Sequence, residues 1–392
     1  MSTLKVNAIS DAAGANGNAI TLASDGTCTA KITNSLSNRR LTLNGDMSVS
    51  QRGEVTGLQS GYGGADRYII SGNTAARVTL NQTTGTALNG FPSCQEVDVT
   101  TADASLAAGD YHYLGYRFEG QDLQQLKKGT ANAESITLTF WVSSPKTGTH
   151  IIQLYDNDNS RHICKSYTVS TADTWEKKTL TFAGDTTGAF GNDNAYSLQI
   201  YWWLLAGSNY SSGTLATSWA SFTAANGAVG QVNCLDNTAN NFKLTGVQLE
   251  VGDTATEFEH RSYADELQRC KRYFNMFANP ASETYSDDKG RQTLFSGMVW
   301  NKDTKDCRFS GSFDVAMRAA PSLYKVVGTS YFRIMVVGGA NTTSDWTLLG
   351  SWTNCFDIKC TAVDSFGSDD NGMAIYALCF NSAARFGWDA EL

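Results

Sequence analysis

Apolar and polar residues alternate along most of the chain, and this pattern predicts β-strands. Residues 41–260 read as strand, turn and strand, with runs such as DRYIISG, ARVTLNQT, CQEVDVTT, SITLTFWVSS and FKLTGVQLEVG. In the last run Leu249 lies between Gln248 and Glu250, the period of a strand that buries one face. QDLQQLKKGT predicts the one helical interruption, with Gly129 as its C-cap. Strands at this spacing, with no repeat of fixed length, favour an antiparallel double-sheet sandwich or jelly roll.

A second all-β domain is predicted at residues 278–392, where the alternation resumes. Its runs include LFSGMVWN, KDCRFSGSFDVAMR, YFRIMVVGG and MAIYALCFN. About 115 residues is a usual length for one domain. The chain is therefore predicted to be all-β, with a jelly-roll sandwich followed by a short helix and a C-terminal β domain.

A linker helix is predicted at residues 261–277. Ser262 has the chemistry of an N-cap, and Asp265 stands three residues later as a short capping box. Apolar residues then recur at helical spacing, namely Tyr263, Leu267, Cys270, Phe274 and Phe277. A lone helix of about 15 residues is marginal in water, so this stripe has to pack on a partner. Two partners are open: further copies of the chain around an axis, or the chain's own sandwich.

Residues 1–40 differ from the rest of the chain. TLKVNAI and AITLAS are short alternating runs separated by DAAGANGN, and they hold too little apolar surface for a core. One interpretation is a frayed terminus. The other is an arm that becomes ordered by adding a strand to the edge of a partner or of another copy. No charged segment followed by an apolar one is present here, so no secretory signal is predicted.

Composition and charge narrow the classes of function. Only 17% of the 392 residues are charged, and the formal net charge is −8. A duplex nucleic acid favours a basic face, so no nucleic-acid partner is predicted. The nine cysteines show no CxxC spacing and the four histidines lie far apart, so no metal site is predicted. No apolar run approaches the ~18 residues of a membrane span, and the thiols are expected to be free and buried in a reducing cytosol.

The run SLQIYWWLLAG is apolar on both faces of its strand. Ile200 and Trp202 share one face. Tyr201 and Trp203 share the other. An exposed aromatic ring stacks on the C–H groups of a sugar, so Tyr201 and Trp203 are the candidate glycan-binding residues. The alternative is a core on one side and a loop or a neighbouring chain on the other.

No catalytic constellation is visible, so the chain is not predicted to be an enzyme. GxSxG, HExxH and P-loop patterns are absent. Polysaccharide cleavage needs paired carboxylates, and the sequence does not pair any two of the scattered candidates Glu119, Asp122, Asp173 and Glu176. YDNDNSRH imitates the first half of a calcium-binding loop but lacks the glycine and the glutamate that such a loop requires. A hairpin turn is predicted there instead.

Several blocks resemble, in the same order, the tail-fibre and receptor-binding proteins of tailed bacteriophages. They are LTLNGDMSVSQRG, YGGADRYIISG, LTFWVSSPKTGTHIIQLY, TWEKKTLTFAGDT and the stretch from FKLTGVQLEVG to RCKRYF. The blocks run from Leu41 to Phe274, and the last one is the most specific. Those proteins carry a jelly roll similar to a carbohydrate-binding module, so the resemblance implies this fold for residues 41–260. Residues 1–40 also resemble N-terminal segments of virion structural proteins.

The resemblance implies a structural component of a phage virion, a homotrimeric tail fibre located in the tail and assembled in the host cytoplasm. Residues 1–40 would attach it to other phage tail proteins, and residues 278–392 would face the host. Its partner there would be a surface glycan or an outer-membrane receptor, bound by several copies at once. The alternatives are a glycan-binding module, a capsid or tail decoration protein and, from the enzymatic members of such fibres, a polysaccharide depolymerase.

Jelly rolls of this kind often hold a structural calcium ion through an acidic residue of the last strand. The matching residues here run from Leu244 to Val247, and the first carboxylate after them is that of Glu250. The resemblance therefore leaves a calcium ion open, and no cofactor is predicted.

Overall fold

The chain folds almost entirely into antiparallel β-sheets. The computed structural model describes residues 8–10, 18–22, 28–30, 39–278, 292–327, 331–336, 339–362, 374–379 and 384–392. Strands dominate these residues, which confirms the all-β prediction. None of the described helices is both long and apolar enough to cross a membrane.

A small three-stranded sheet lies within the predicted attachment arm. Its strands, in the order β1-β2-β3, are β1 (Ala8–Ser10), β2 (Asn18–Leu22) and β3 (Cys28–Ala30). The other residues of the arm before Arg39 lie outside the described residues. Attachment of residues 1–40 to another tail protein stays a prediction.

The first domain is a jelly-roll β-sandwich of two sheets. Its strands are β4 (Val55–Leu58), β5 (Gly61–Tyr62), β6 (Tyr68–Gly72), β7 (Arg77–Thr84), β8 (Ser93–Thr101), β9 (Tyr111–Glu119), β10 (Ile136–Ser143), β11 (Gly148–Asp156), β12 (Arg161–Val169), β13 (Glu176–Phe182), β14 (Tyr196–Ala206), β15 (Ala220–Ser221) and β16 (Asn241–Val251). One sheet has the order β13-β10-β16-β8-β7-β4 and the other β15-β12-β11-β14-β9-β6-β5. The largest buried side chains between them are Trp202, Tyr68, Tyr116, Phe140, Phe182 and Phe242.

β16 is buried on both faces, which corrects the predicted single buried face. Leu249 lies in the core, and Gln248 and Glu250 on the opposite face are buried as well. The segment after the strand folds back over them. The Thr256 N–H donates to Glu250 Oε1 at 2.9 Å, and the Glu259 N–H donates to Gln248 Oε1 at 2.8 Å. Alternation does not reveal this cover, because a polar side chain tolerates burial once its hydrogen bonds are satisfied.

The helices are short. A 3-10 helix spans Gly120–Leu126, α1 spans Ser208–Ser211, a second 3-10 helix spans Ala224–Asn226 and α2 spans Tyr263–Lys271. The helix predicted in QDLQQLKKGT is present, but Lys127 at φ 50° forms its left-handed C-cap in place of Gly129. The predicted N-cap of α2 is confirmed, because the Ser262 hydroxyl accepts the Asp265 N–H at 3.2 Å.

The linker helix is shorter than predicted because its last two apolar positions belong to a strand. Phe274 begins β17 (Phe274–Ala278) and Phe277 lies in the same strand, so neither belongs to a helical stripe. On α2, Cys270 is buried and Leu267 is half-buried, whereas Tyr263 is 58% exposed. Short apolar spacings fit a helix and a strand equally well when the segment is brief.

α2 packs on the sandwich of its own chain. The buried Glu266 carboxylate lies 2.7 Å from Arg40 Nη2 and 3.3 Å from Arg261 Nη1. It also accepts the Asn44 N–H at 2.5 Å. Of the two partners that the sequence left open, the chain's own sandwich is the one seen in this structure. Contact between the helices of several copies stays a prediction.

The second domain joins a closed barrel to a small sheet. Its remaining strands are β18 (Gln292–Asn301), β19 (Asp306–Ser312), β20 (Ser322–Val326), β21 (Phe332–Val336), β22 (Gly339–Ser351), β23 (Cys355–Ala362), β24 (Ala374–Cys379) and β25 (Arg385–Asp389). The barrel has the order β18-β19-β23-β22-β21-β24, and the sheet has the order β17-β25-β20. Trp346, Trp388 and Phe356 are among the buried side chains that fill this domain.

The residues after β25 lie against the jelly roll. The Glu391 carboxylate is buried between the guanidinium groups of Arg52 and Arg67. The carbonyl oxygen of Leu392 accepts a hydrogen bond from the Tyr62 hydroxyl at 3.0 Å. These contacts join the two domains within a single chain.

Candidate functional site

The seven-stranded sheet presents one face to the sandwich core and the other face outward. On β14, Trp202 lies in the core, so Tyr201 beside it points outward. On β9, Tyr116 lies in the core, and its neighbours Gly115 and Arg117 belong to the outward face. One face of β14 is therefore apolar because it packs in the sandwich core. The other face is apolar because it carries aromatic side chains on the outer surface of the sheet.

Four tyrosines form a row of near-parallel rings on this outward face, which we call the tyrosine ladder. They are Tyr111 and Tyr113 of β9, Tyr201 of β14 and Tyr155 of β11. The ring centroids of Tyr113 and Tyr201 are 4.1 Å apart, with 13° between the planes. Tyr111 lies 6.0 Å from Tyr113, and Tyr155 lies 6.0 Å from Tyr201. Stacked aromatic rings at these distances stabilise one another, and all four side chains remain half-exposed.

Gly115 allows the two central rings to approach. It pairs with Tyr201 across the strands. A Cβ atom at this position would lie 2.6 Å from Gln199 Nε2 and 3.3 Å from Tyr113 Cε2. The absence of a side chain therefore lets the Tyr113 ring and the Gln199 amide lie over the backbone of β9.

The Gln199 amide carries an unused hydrogen-bond donor beside the ladder. The residue is buried, and its Nε2 has no hydrogen-bond partner among the described residues. Its Oε1 accepts from Arg117 Nε at 3.3 Å, and the Arg117 guanidinium lies 5.0 Å above the Tyr196 ring. Because an unpaired buried N–H costs free energy, a ligand atom that accepts a hydrogen bond would be stabilised here.

Burial raises the pKa of two phenols on this face, those of Tyr201 and Tyr196. Burial raises the pKa of Tyr201, and the neighbouring Tyr113 adds to the shift. Burial also raises the pKa of Tyr196 to about 12. A neutral phenol both donates and accepts a hydrogen bond. The four tyrosines of the ladder therefore offer a row of hydroxyl groups for hydrogen bonds.

Trp203 is not available as an open platform, which corrects one of the two predicted glycan-binding residues. Its indole is 3% exposed and donates through Nε1 to Gln153 Oε1 at 3.0 Å. The loop after β14 covers it, with the Tyr210 ring at 5.6 Å and Leu215 in the same apolar cluster. For Trp203, the structure therefore agrees with the alternative interpretation, in which a loop covers this side of the strand. Tyr201 keeps an accessible edge.

The sequence identified Tyr201 as a candidate but did not identify the three other tyrosines of the ladder. YHYLGYRFEG does place Tyr111 and Tyr113 two residues apart on one strand face. The pairing of β9 with β14 and of β14 with β11, which brings these side chains to Tyr201 and Tyr155, is a long-range feature. No local signal reports it.

Two of the four acidic residues considered for catalysis, Glu119 and Glu176, are engaged in structural contacts. Glu119 is buried and pairs with Arg272. Glu176 pairs with Lys178 and accepts two backbone N–H groups. In the predicted hairpin between β11 and β12, the buried Asp156 lies 2.6 Å from Lys128 Nζ. Across the described part of the chain, no group of three or more His, Cys, Asp or Glu side chains is arranged to hold a metal ion.

Comparisons with known proteins identify similar folds and no family. No protein-family model and no curated protein matches the chain. Among solved structures, the enzymatically active domain of tailspike protein 4 from bacteriophage CBA120 is 12% identical, with a TM-score of 0.28, over 54% of this chain and 21% of the other. The chain thus spans about a fifth of that tailspike protein.

Two carbohydrate-binding modules are also similar. A family 11 module from Clostridium thermocellum, in complex with a β-1,3-1,4-mixed-linked tetrasaccharide, is 13% identical with a TM-score of 0.27 over 52% of this chain and 98% of the other. TmCBM61, in complex with β-1,4-galactotriose, is 10% identical with a TM-score of 0.25 over 47% of this chain and 88% of the other. Likeness at this level carries no argument about ligand or activity. The strand order and pairing described above define the first domain as a jelly-roll β-sandwich.

Proposed function

We propose that this chain is a receptor-binding protein of a bacteriophage tail that attaches to a host-surface glycan through the tyrosine ladder. The observation that carries this proposal is the stack of Tyr113 on Tyr201 at 4.1 Å, extended by a ring on each side. The order of the sequence blocks that resemble tail-fibre proteins supports the virion context. In that context the protein is located in the tail after assembly in the host cytoplasm.

The chemistry of the ladder suits a neutral saccharide. Sugar hydroxyls donate and accept hydrogen bonds, as the phenols of the ladder do, and the unused Gln199 N–H is one more donor. Phe222 is exposed at one end, where its ring meets Tyr155 edge to face at 5.2 Å. An exposed ring of this kind packs on the C–H face of a pyranose. Aromatic side chains together with a few polar groups are the usual lining of a small-molecule site.

Attachment through several copies would compensate for weak single sites. Linking copies turns the second contact into an intramolecular one, which raises avidity without any new contact. A homotrimer anchored through residues 1–40 supplies that arrangement. Sedimentation analysis of the purified full-length protein tests the oligomeric state. A stable monomer at micromolar concentration would contradict this part of the proposal.

The decisive experiment removes hydroxyl groups and keeps the ring stack. The Tyr113→Phe/Tyr201→Phe double variant should bind a glycan array and host cells roughly thirtyfold more weakly, because each of the two lost hydrogen bonds contributes about 1 kcal/mol. Tyr263→Phe is the matched control, since its ring is exposed on α2 away from the sheet. Equal binding by the double variant and the wild type would contradict the proposal.

The proposed action is binding without catalysis. Its support is the engagement of Glu119 and Glu176 in structural ion pairs. Incubation of the purified protein with host polysaccharide, followed by an assay for reducing ends, tests it. Release of reducing ends would instead favour the depolymerase alternative.

A further inference from the structure

The wall of the C-terminal barrel exposes large apolar side chains around an open pocket. The pocket has a volume of about 510 Å³ and lies on β18, β19, β22 and β23. Its wall includes Met298, Trp300 and Leu349, all of which are exposed, and Trp300 is 55% exposed. The barrel interior is already filled by Trp346 and other rings. These outer side chains therefore contribute nothing to the core, and an apolar patch of this kind marks an interaction site.

One tryptophan in this pocket is held in place by a cation. The Arg308 guanidinium carbon lies 3.9 Å from the centroid of the Trp300 ring. A guanidinium over an indole face fixes the ring orientation by a cation–π contact. Because one face of the indole is covered in this way and the side chain remains 55% exposed, the rest of the ring system is open to a ligand.

Two groups of opposite charge line the pocket without pairing with each other. Asp357 is half-buried on β23, and its carboxylate makes no hydrogen bond or ion pair with the side chain or backbone of any described residue. Arg308 Nε is buried and has no hydrogen-bond partner in the described part of the chain. The ligand that fits must therefore accept hydrogen bonds from the guanidinium and donate them to the carboxylate. A phosphate is repelled by Asp357, and a lipid chain leaves both groups unpaired.

We propose that this pocket is a second saccharide-binding site, in which a neutral sugar ring packs on Trp300 while its hydroxyls bind Arg308 and Asp357. Sugar hydroxyls match the two unpaired groups, and the C–H face of a pyranose matches the indole. A volume of about 510 Å³ lies in the range of about 300–1,000 Å³ that is usual for small-molecule sites. This site lies on the second domain and does not depend on the tyrosine ladder.

The test uses the full-length protein on an array of oligomers of glucose, galactose, mannose and N-acetylglucosamine. Trp300→Ala and Asp357→Asn should each weaken binding to at least one neutral oligosaccharide by tenfold or more. Trp352→Ala is the matched control, because Trp352 is 53% exposed on the same barrel but does not line the pocket. Circular dichroism confirms that each variant is folded, and Asp357→Asn changes no apolar packing.

Three results separate the possible outcomes. Loss of the same glycan in both pocket variants, and its retention in the Tyr113→Phe/Tyr201→Phe variant, supports this site whether or not the ladder binds. Binding by Trp300→Ala and Asp357→Asn equal to that of Trp352→Ala overturns it. Unchanged glycan binding with a smaller sedimenting species for Trp300→Ala overturns it too, since the face would then join copies of the chain.

Discussion

Arg272 and Glu119 form a two-bond ion pair between positions 153 residues apart in the sequence. Arg272 Nε lies 2.9 Å from Glu119 Oε1, and Nη2 lies 2.7 Å from Oε2. Glu119 ends β9 in the jelly roll, and Arg272 follows α2 at the start of the second domain. The pair thus fixes the junction of the two domains inside one chain. Burial alone disfavours the charged carboxylate, but hydrogen bonds from Arg272 and Tyr273 outweigh this and hold the pKa of Glu119 below its usual value.

Replacing Arg272 should weaken this junction. Arg272→Met leaves the buried Glu119 carboxylate without its cation, which should lower the free energy of unfolding by about 3 kcal/mol. Urea denaturation at pH 7 measures the change. Lys127→Met is the control, because it breaks the exposed pair with Glu134 and should cost less than about 1 kcal/mol. Equal costs for the two variants would contradict a structural role of the Arg272 pair.

Glu391 should form a second stabilising contact between the two domains. Burial alone lowers the pKa of Arg67, and the adjacent Glu391 carboxylate outweighs it, so the pKa of Arg67 lies well above its ordinary value. Glu391→Gln leaves the guanidiniums of Arg52 and Arg67 buried with less compensating charge. We expect a loss of about 3–5 kcal/mol in the free energy of unfolding. Glu54→Gln, at an exposed position, should change it by about 0.5 kcal/mol or less.

Amide hydrogen exchange shows which segments of the Glu391→Gln variant lose protection. The amides of β25 and β5 should exchange faster in this variant than in the wild type, because Glu391 lies between β25 and Leu392, whose carbonyl oxygen accepts a hydrogen bond from Tyr62 of β5. Unaltered protection at β5 would show that the C-terminal residues do not hold the jelly roll.

His112 should make the protein less stable in mild acid. Burial, together with the charge of Arg77, lowers the pKa of His112 to about 4. An unfolded histidine takes up its proton near pH 6.5. Between about pH 6.5 and pH 4 the unfolded chain therefore binds more protons than the folded one, so stability falls as the pH falls through this window. The full effect is on the order of 3 kcal/mol.

The His112→Leu variant isolates the contribution of His112 to the pH dependence of stability. The difference in unfolding free energy between the variant and the wild type should shift in favour of the variant as the pH is lowered from 7 to 5. Denaturation curves at pH 7, 6 and 5 measure it, with the exposed His260→Gln as the control. If the difference in unfolding free energy between the variant and the wild type stays constant from pH 7 to pH 5, His112 is not the source of the acid sensitivity.

Trp203 should be a structural residue. Trp203→Ala removes a buried indole and leaves Gln153 Oε1 without that donor, so we expect a loss of about 3–5 kcal/mol. Trp352→Ala, at an exposed position, should cost about 1 kcal/mol or less. Thermal unfolding distinguishes the two. If Trp203→Ala were as stable as the wild type and yet lost glycan binding, Trp203 would return as a contact residue.

Local patterns were sufficient for most of the strands and for the start of α2. Alternation predicted the strands, and the N-cap chemistry of Ser262 predicted the start of α2. These features depend on neighbours in the sequence, so the sequence reports them directly. The spacing of Phe274 and Phe277 misled because it is compatible with a helix, and pairing of β17 with β25, more than 100 residues away, decided for a strand.

The sequence by itself determined that this protein is all-β and that β14 is apolar on both faces. Only the tertiary structure decided which aromatic side chains meet solvent. Tyr201 and Trp203 are two residues apart on the same strand face, but the loop that follows β14 buries Trp203 and leaves Tyr201 half-buried. Trp300 and Trp346 both lie on barrel strands, yet one faces outward and the other fills the core. Exposure depends on strand register and on how loops pack over the strands, and the alternation of apolar and polar residues encodes neither of these.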